Sequence, residues 1–179
     1  LEALRRGAAG AARAATKAKV VSLAISFPVW NNNPSLTAQA SAEGTILALN
    51  KDSRFKSEPD KSATKIDQVN LLSFPGESAA IEQAEKVCDG VILARELVAA
   101  PPNVVTPTKL ADTAAEIAKD YGLTLEVLEQ EDCQQLGMGA YLGVAQASDM
   151  PPKFIHLTYR PEGEAKRKVA IVGKGLTID

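Results

Sequence analysis

The stretch ESAAIEQAEKVCDGVILARELVAA, residues 77–100, settles how the chain is organised. Ala80, Ile81, Ala84, Val87, Cys88, Val91, Ile92, Ala94, Leu97 and Val98 recur at three- and four-residue spacing, the pattern of a long helix with an apolar stripe. The run PPN at 101–103 must end it, because Pro101 restricts the residue before it and neither proline donates a backbone hydrogen bond. A helix this long, with strand-like runs on both sides, reads as a connector between two α/β segments. The division is then 1–76 as a partial N-terminal α/β domain, 77–100 as the connecting helix, and 101–179 as the beginning of a second α/β domain.

Upstream of the connector, residues 2–18 read as a helix and VVSLAISF, 20–27, as a buried strand. PVWNNNPS, 28–35, is dense in Pro and Asn and reads as a loop. LTAQASAEGTILALN, 36–50, has helical periodicity with Leu36, Ala40, Gly44 and Leu47 on one side. Residues 51–65 are charged and rich in breakers, a solvated connection, and IDQVNLLSF, 66–74, reads as a second strand.

Downstream, Thr106 is placed to N-cap a helix that has Pro107 at its first position and Gly122 past its end. LTLEVLE alternates as a strand, QEDCQQLG reads as a short helix stopped by Gly137, AYLGVAQAS as a strand, KFIHLTYR as an alternating strand and RKVAIVG as an apolar strand. Alternation of strands and helices predicts an α/β fold with a largely parallel sheet.

Composition removes several functions. The chain has 179 residues, 45% of them hydrophobic, enough to bury a core. A net charge of −2 offers no basic surface for nucleic acid or an anionic membrane, and no apolar run approaches the ~20 residues needed to span a bilayer. The opening LEALRRGAAGAARAATKAKV is Arg-rich, Ala-rich and nearly free of acids, as organelle transit peptides are. The preferred reading is a surface amphipathic helix feeding the first strand. A start at Leu1 rather than Met points to an upstream portion. Cys88 and Cys133 lack metal-like spacing and are expected as buried reduced thiols, which fits a reducing compartment.

Few residues suggest chemistry on their own. His156 is the only histidine and has no local Cys or His partner for a zinc site; a strand histidine satisfied by neighbours is expected. LGMGAYLGV, 136–144, has the wrong glycine order for a dinucleotide fingerprint and reads as tight turning before a strand. VGKG fails as a phosphate loop, because Lys168 stands where the opening glycine belongs and Gly175, not Ser or Thr, follows Lys174. What remains is the end of the strand VAIVG, followed by Lys174 and, five residues on, Asp179. Sites in α/β sheets gather beyond the carboxyl ends of strands. A lysine beside a buried strand end can become a neutral amine and bind a metal, and an aspartate supplies a hard oxygen that can bridge two divalent ions.

VCDGVILARELVAAPPNVVTPTKLADTAAEIA (87–118), LEVLEQEDCQQLGMGAYLGVAQASDMPPKFIHLTY (125–159) and KVAIVGKGLTID (168–179), in that order, closely resemble the leucyl aminopeptidase family, in particular its plant and cyanobacterial branch. EGTILALNKDSRFKS, 43–57, is similar to a segment of that family's N-terminal domain. The resemblance implies a macro-like N-terminal α/β domain, a connecting helix and a catalytic α/β domain. It implies a metal-dependent aminopeptidase acting on peptides with a free N-terminus through metal-activated water, assembled as a homohexamer and working in the cytoplasm, or in a plastid or other organelle stroma if a transit peptide precedes it.

By the same resemblance, Lys174 matches a lysine that binds one metal and Asp179 an aspartate that bridges both members of a pair of divalent ions (Mn2+, Zn2+ or Mg2+). No catalytic residue of the family falls within these 179 residues, and the first strands of the N-terminal domain are missing from them. The chain alone is therefore expected to be inactive. Two positions depart from the family pattern: Ile178 stands where Phe is usual and Ala99 where Asn is usual. The competing readings are a non-catalytic structural or interaction subunit derived from the family, and a macro-like ligand-binding module in the first 76 residues.

Overall fold

The computed structural model describes residues 1–58, 65–72, 74–164 and 166–177. The chain forms two compact units, Leu1–Ala99 and Ala100–Asp179.

In the first unit, α1 (Glu2–Lys17) leads into β1 (Ser22–Ser26), and a short 3₁₀ turn at Trp30–Asn32 precedes α2 (Pro34–Leu49). β2 (Gln68–Leu72) and α3 (Ser78–Ala99) complete it. α2 begins two residues before the expected start, because the Asn33 side chain accepts from the Leu36 N–H and Pro34 follows at the first helical position. α2 is also buried on more than one side. Thr37, Ser41 and Thr45 are almost fully buried, and each hydroxyl donates to a carbonyl four residues back, at Asn33, Thr37 and Ser41, so none of the three hydroxyls is left unpaired.

α1 crosses α2 at small residues, with Ala8, Ala12 and Ala40 sealed between them. A Cβ at Gly44 would lie 2.3 Å from the Arg5 carbonyl oxygen, so only glycine lets the two backbones approach so closely. Beside that contact, the Arg5 guanidinium meets the buried Glu43 carboxylate at 2.6 Å, and Gln39 donates to the other carboxylate oxygen at 2.9 Å.

β1 and β2 pair in parallel, Ser22 opposite Gln68 through Ser26 opposite Leu72. The expected burial of β1 holds only at Ile25. α3 buries Ala84 and Cys88, while Val87 and Val98, read as part of its apolar stripe, are exposed. The stripe is thus narrower than its sequence periodicity, since among the described residues α2 is the helix packed along α3.

The second unit contains α4 (Pro107–Tyr121), β3 (Thr124–Leu128), α5 (Gln130–Gln135), α6 (Gly139–Ala145) and β4 (Phe154–Thr158). α4 has the anticipated ends: Thr106 Oγ1 accepts from the Lys109 N–H at 3.2 Å, and Gly122 closes the helix at φ 65°. Thr106→Ala is expected to lower the stability of this unit by about 1 kcal/mol, read as the urea midpoint of α4 helicity, with Thr106→Asn close to wild type.

Two sequence expectations fail here. AYLGVAQAS is largely helical rather than a strand. Met138, Tyr141, Leu142 and Ala145 form its half-buried face, a three-and-four spacing that so short an apolar run does not separate from alternation. Tyr141 packs edge-on against Phe154, ring centroids 5.9 Å apart, fixing α6 to β4. Nor is the sheet largely parallel: β3 and β4 run antiparallel, from Thr124 opposite Thr158 to Leu128 opposite Phe154.

Candidate functional site

Lys174 lies in an irregular, exposed segment of the second unit. The expected strand at RKVAIVG does not form among the described residues: residues 167–177 carry no strand, and Val169, Ile171 and Val172 are 72%, 95% and 94% exposed. A run that is apolar on both faces becomes a strand when paired and covered on both sides, and the sheet described in this unit, β3–β4, does not extend to it.

A Cβ at Gly175 would meet Leu110 Cδ1 of α4 at 3.4 Å, so the chain at Gly175 runs close beside that helix. The buried strand end expected beside Lys174 is not found among the described residues. Asp179 and the preceding Ile178, the other half of the expected pair, lie outside the described residues.

Among the described residues, the remaining titratable groups do not build a site around Lys174. Among the described residues there is no group of three or more His, Cys, Asp or Glu that could hold a metal ion. Cys88 and Cys133 are buried free thiols, and burial pushes both upward in pKa, so they rest as thiols rather than as thiolate ligands or nucleophiles. Cys88 donates weakly to the Glu43 carbonyl at 3.8 Å.

His156 stands directly opposite Glu126 on the exposed face of β3–β4, its Nδ1 3.2 Å from the carboxylate, with Thr158 Oγ1 3.5 Å from Nε2. This is a histidine satisfied by neighbours, as expected: a carboxylate across the strand pair and a hydroxyl on its own strand. The contact that the sequence did not signal is Arg54, within the similar segment 43–57: it forks onto Asp52 and reaches the end of α3.

Residues 1–59 match the N-terminal domain of the cytosol aminopeptidase family, and residues 92–179 match the family's catalytic domain. The chain belongs to the cytosol aminopeptidase family. Over its whole length it is 62% identical to a probable cytosol aminopeptidase of Nostoc punctiforme and 62% identical to one of Gloeothece citriformis, and it covers 36% of each. It therefore spans about a third of the length of these curated relatives. Among solved structures, a mutant of tomato leucine aminopeptidase superposes with a TM-score of 0.81 at 34% identity, over 92% of this chain and 34% of that one. The bottromycin maturation enzyme BotP in complex with Mn gives 0.75 at 26% identity, over 89% and 33%. No helix among the described residues is long and apolar enough to cross a membrane.

Proposed function

We propose that these residues supply the N-terminal domain (1–76), the connecting helix (77–100) and the first part of the catalytic domain (101–179) of a metal-dependent leucyl aminopeptidase. The observation that carries the reading is the match of residues 92–179 to the catalytic domain of the family. Its substrates are peptides with a free N-terminus, its assembly a homohexamer, and its place of work the cytoplasm or an organelle stroma.

Lys174 and Asp179 are proposed as two ligands of a pair of divalent ions, Mn2+, Zn2+ or Mg2+, one through a neutral amine and one through a bridging carboxylate. When bound, such a pair activates water and polarises the scissile carbonyl. The described residues do not fit a complete two-ion centre, because hard divalent cations take several oxygen ligands each and no such cluster is present among them. No step is therefore assigned to this chain alone. The further ligands are placed in the two-thirds of the relatives' length that lies beyond the match.

In protein carried to the length of its relatives, Lys174→Ala and Asp179→Asn should each lower leucyl-anilide hydrolysis by roughly a hundredfold, about 3 kcal/mol, and lower metal content. The 179-residue chain should release no leucine and should not take up two ions stoichiometrically in calorimetry. Leucine release by that chain, or full activity in both long variants, would overturn the assignment. The departure from the family pattern at Ile178 motivates a second reading, a non-catalytic structural subunit derived from the family. An active long protein eliminates it.

A further inference from the structure

α2 and α3 lie side by side in the same direction. At their starts the Ser35 hydroxyl donates to the Glu77 carboxylate; midway Cys88 reaches the Glu43 carbonyl; at their ends Arg95 reaches the Leu47 carbonyl at 3.3 Å. Parallel helices place like poles together, and each C-terminal pole carries about half a negative charge on carbonyls without helical partners. Neither helix has a basic residue in its own last turn. The opposing charge has to come from elsewhere.

We infer that residues 51–55 form a strap whose Arg54, together with Arg95, neutralises the paired C-terminal poles of α2 and α3 and holds down the last turns of α3. Arg95, on α3, donates to Leu47, one of the last four carbonyls of α2. Arg54, in the segment leaving α2, donates to the Glu96 carbonyl, one of the last four of α3, at 2.7 Å. Each helix is thus capped by an arginine from the other side of the pair.

Arg54 is itself aimed. Its guanidinium forks onto Asp52 at 2.9 and 2.8 Å, sits 5.2 Å from the centre of the Phe55 ring and lies 3.9 Å from the Glu96 carboxylate. That fork lowers the Asp52 carboxyl to a pKa of about 2, so the pairing is intact at neutral pH. At the opposite poles the Glu77 carboxylate supplies the matching negative charge, just ahead of α3. The strap therefore secures the helix segment in which the family's catalytic domain begins, at residue 92.

The test is hydrogen exchange on the 179-residue chain, comparing amides of residues 93–100 with those of α4. Arg54→Ala/Arg95→Ala should speed exchange in 93–100 by about tenfold and leave α4 unchanged, and 1 M salt should move wild type part of the way toward the variant. Arg54→Lys, which keeps the charge, should recover most of the protection. Unchanged exchange in the double variant would overturn the strap. If Arg54→Lys exchanges as fast as Arg54→Ala, pole neutralisation is overturned and the planar fork is what matters. If the double variant loses its Trp30 fluorescence signature through unfolding, the Arg54→Lys and salt comparisons on folded protein decide.

Discussion

Gly44→Ala is expected to cost the first unit about 3 kcal/mol or more, and to abolish its cooperative unfolding if the unit is only marginally stable. The reason is local. The added methyl would sit 2.3 Å from the Arg5 carbonyl oxygen and 2.9 Å from Arg5 Cα. These are backbone atoms of a packed helix, so no side-chain rotation relieves the overlap. α1 would have to move away from α2, opening the contact at Ala8, Ala12 and Ala40, all at most 1% exposed. Trp30 is the only tryptophan and lies in this unit, so urea titration followed by its fluorescence reads the effect directly. A Gly10→Ala control, where a Cβ meets nothing within 4 Å, should be neutral or slightly stabilising. If Gly44→Ala unfolds with an unchanged midpoint, the close crossing of α1 and α2 is wrong.

Arg5→Met should cost about 2 kcal/mol in the same assay. Glu43 has a side chain only 8% exposed, and Arg5 is its ionic partner across the helix pair. Removing one member of a buried pair strands the other charge, at about 3–5 kcal/mol for full burial; Arg5 is 37% exposed, so water offsets part of that. Replacing both, Arg5→Met with Glu43→Leu, should bring stability back to within about 1 kcal/mol of wild type, because an apolar pair of similar volume fits the same space. The double-mutant cycle isolates the coupling. A coupling near zero would show that the pair contributes specificity of packing rather than stability.

The helices were legible where local chemistry decides them. Thr106, Pro107 and Gly122 mark both ends of α4, and Pro101 marks the end of α3. What escaped depends on partners distant in sequence. Residues 139–145 are too few for periodicity to separate helix from strand, and the contact of Tyr141 with Phe154 decides the matter. Val87 and Val98 fit an apolar stripe in sequence, but α2 does not cover them. Residues 167–173 read as a strand because Val169, Ala170, Ile171 and Val172 form an unbroken apolar run, and a strand also needs a neighbour with free hydrogen-bonding groups. Of the proposed ligands, Lys174 was legible only as a lysine between two glycines after an apolar run, and the nearness of Gly175 to Leu110 is announced by no spacing rule within the sequence. Arg54 escaped for a similar reason, since its target is a main-chain carbonyl on α3 and carries no side-chain signature.

α3 runs without interruption from Ser78 to Ala99, although the family's catalytic domain is counted from residue 92. The evolutionary seam and the mechanical seam therefore differ by about two helical turns. Chimeras that exchange halves with a relative at residue 92 would splice foreign turns beneath Arg54 and separate Arg95 from the Leu47 carbonyl it serves. Joining instead within Pro101–Asn103, where two consecutive prolines already break the helix, keeps each half with the residues it folded against.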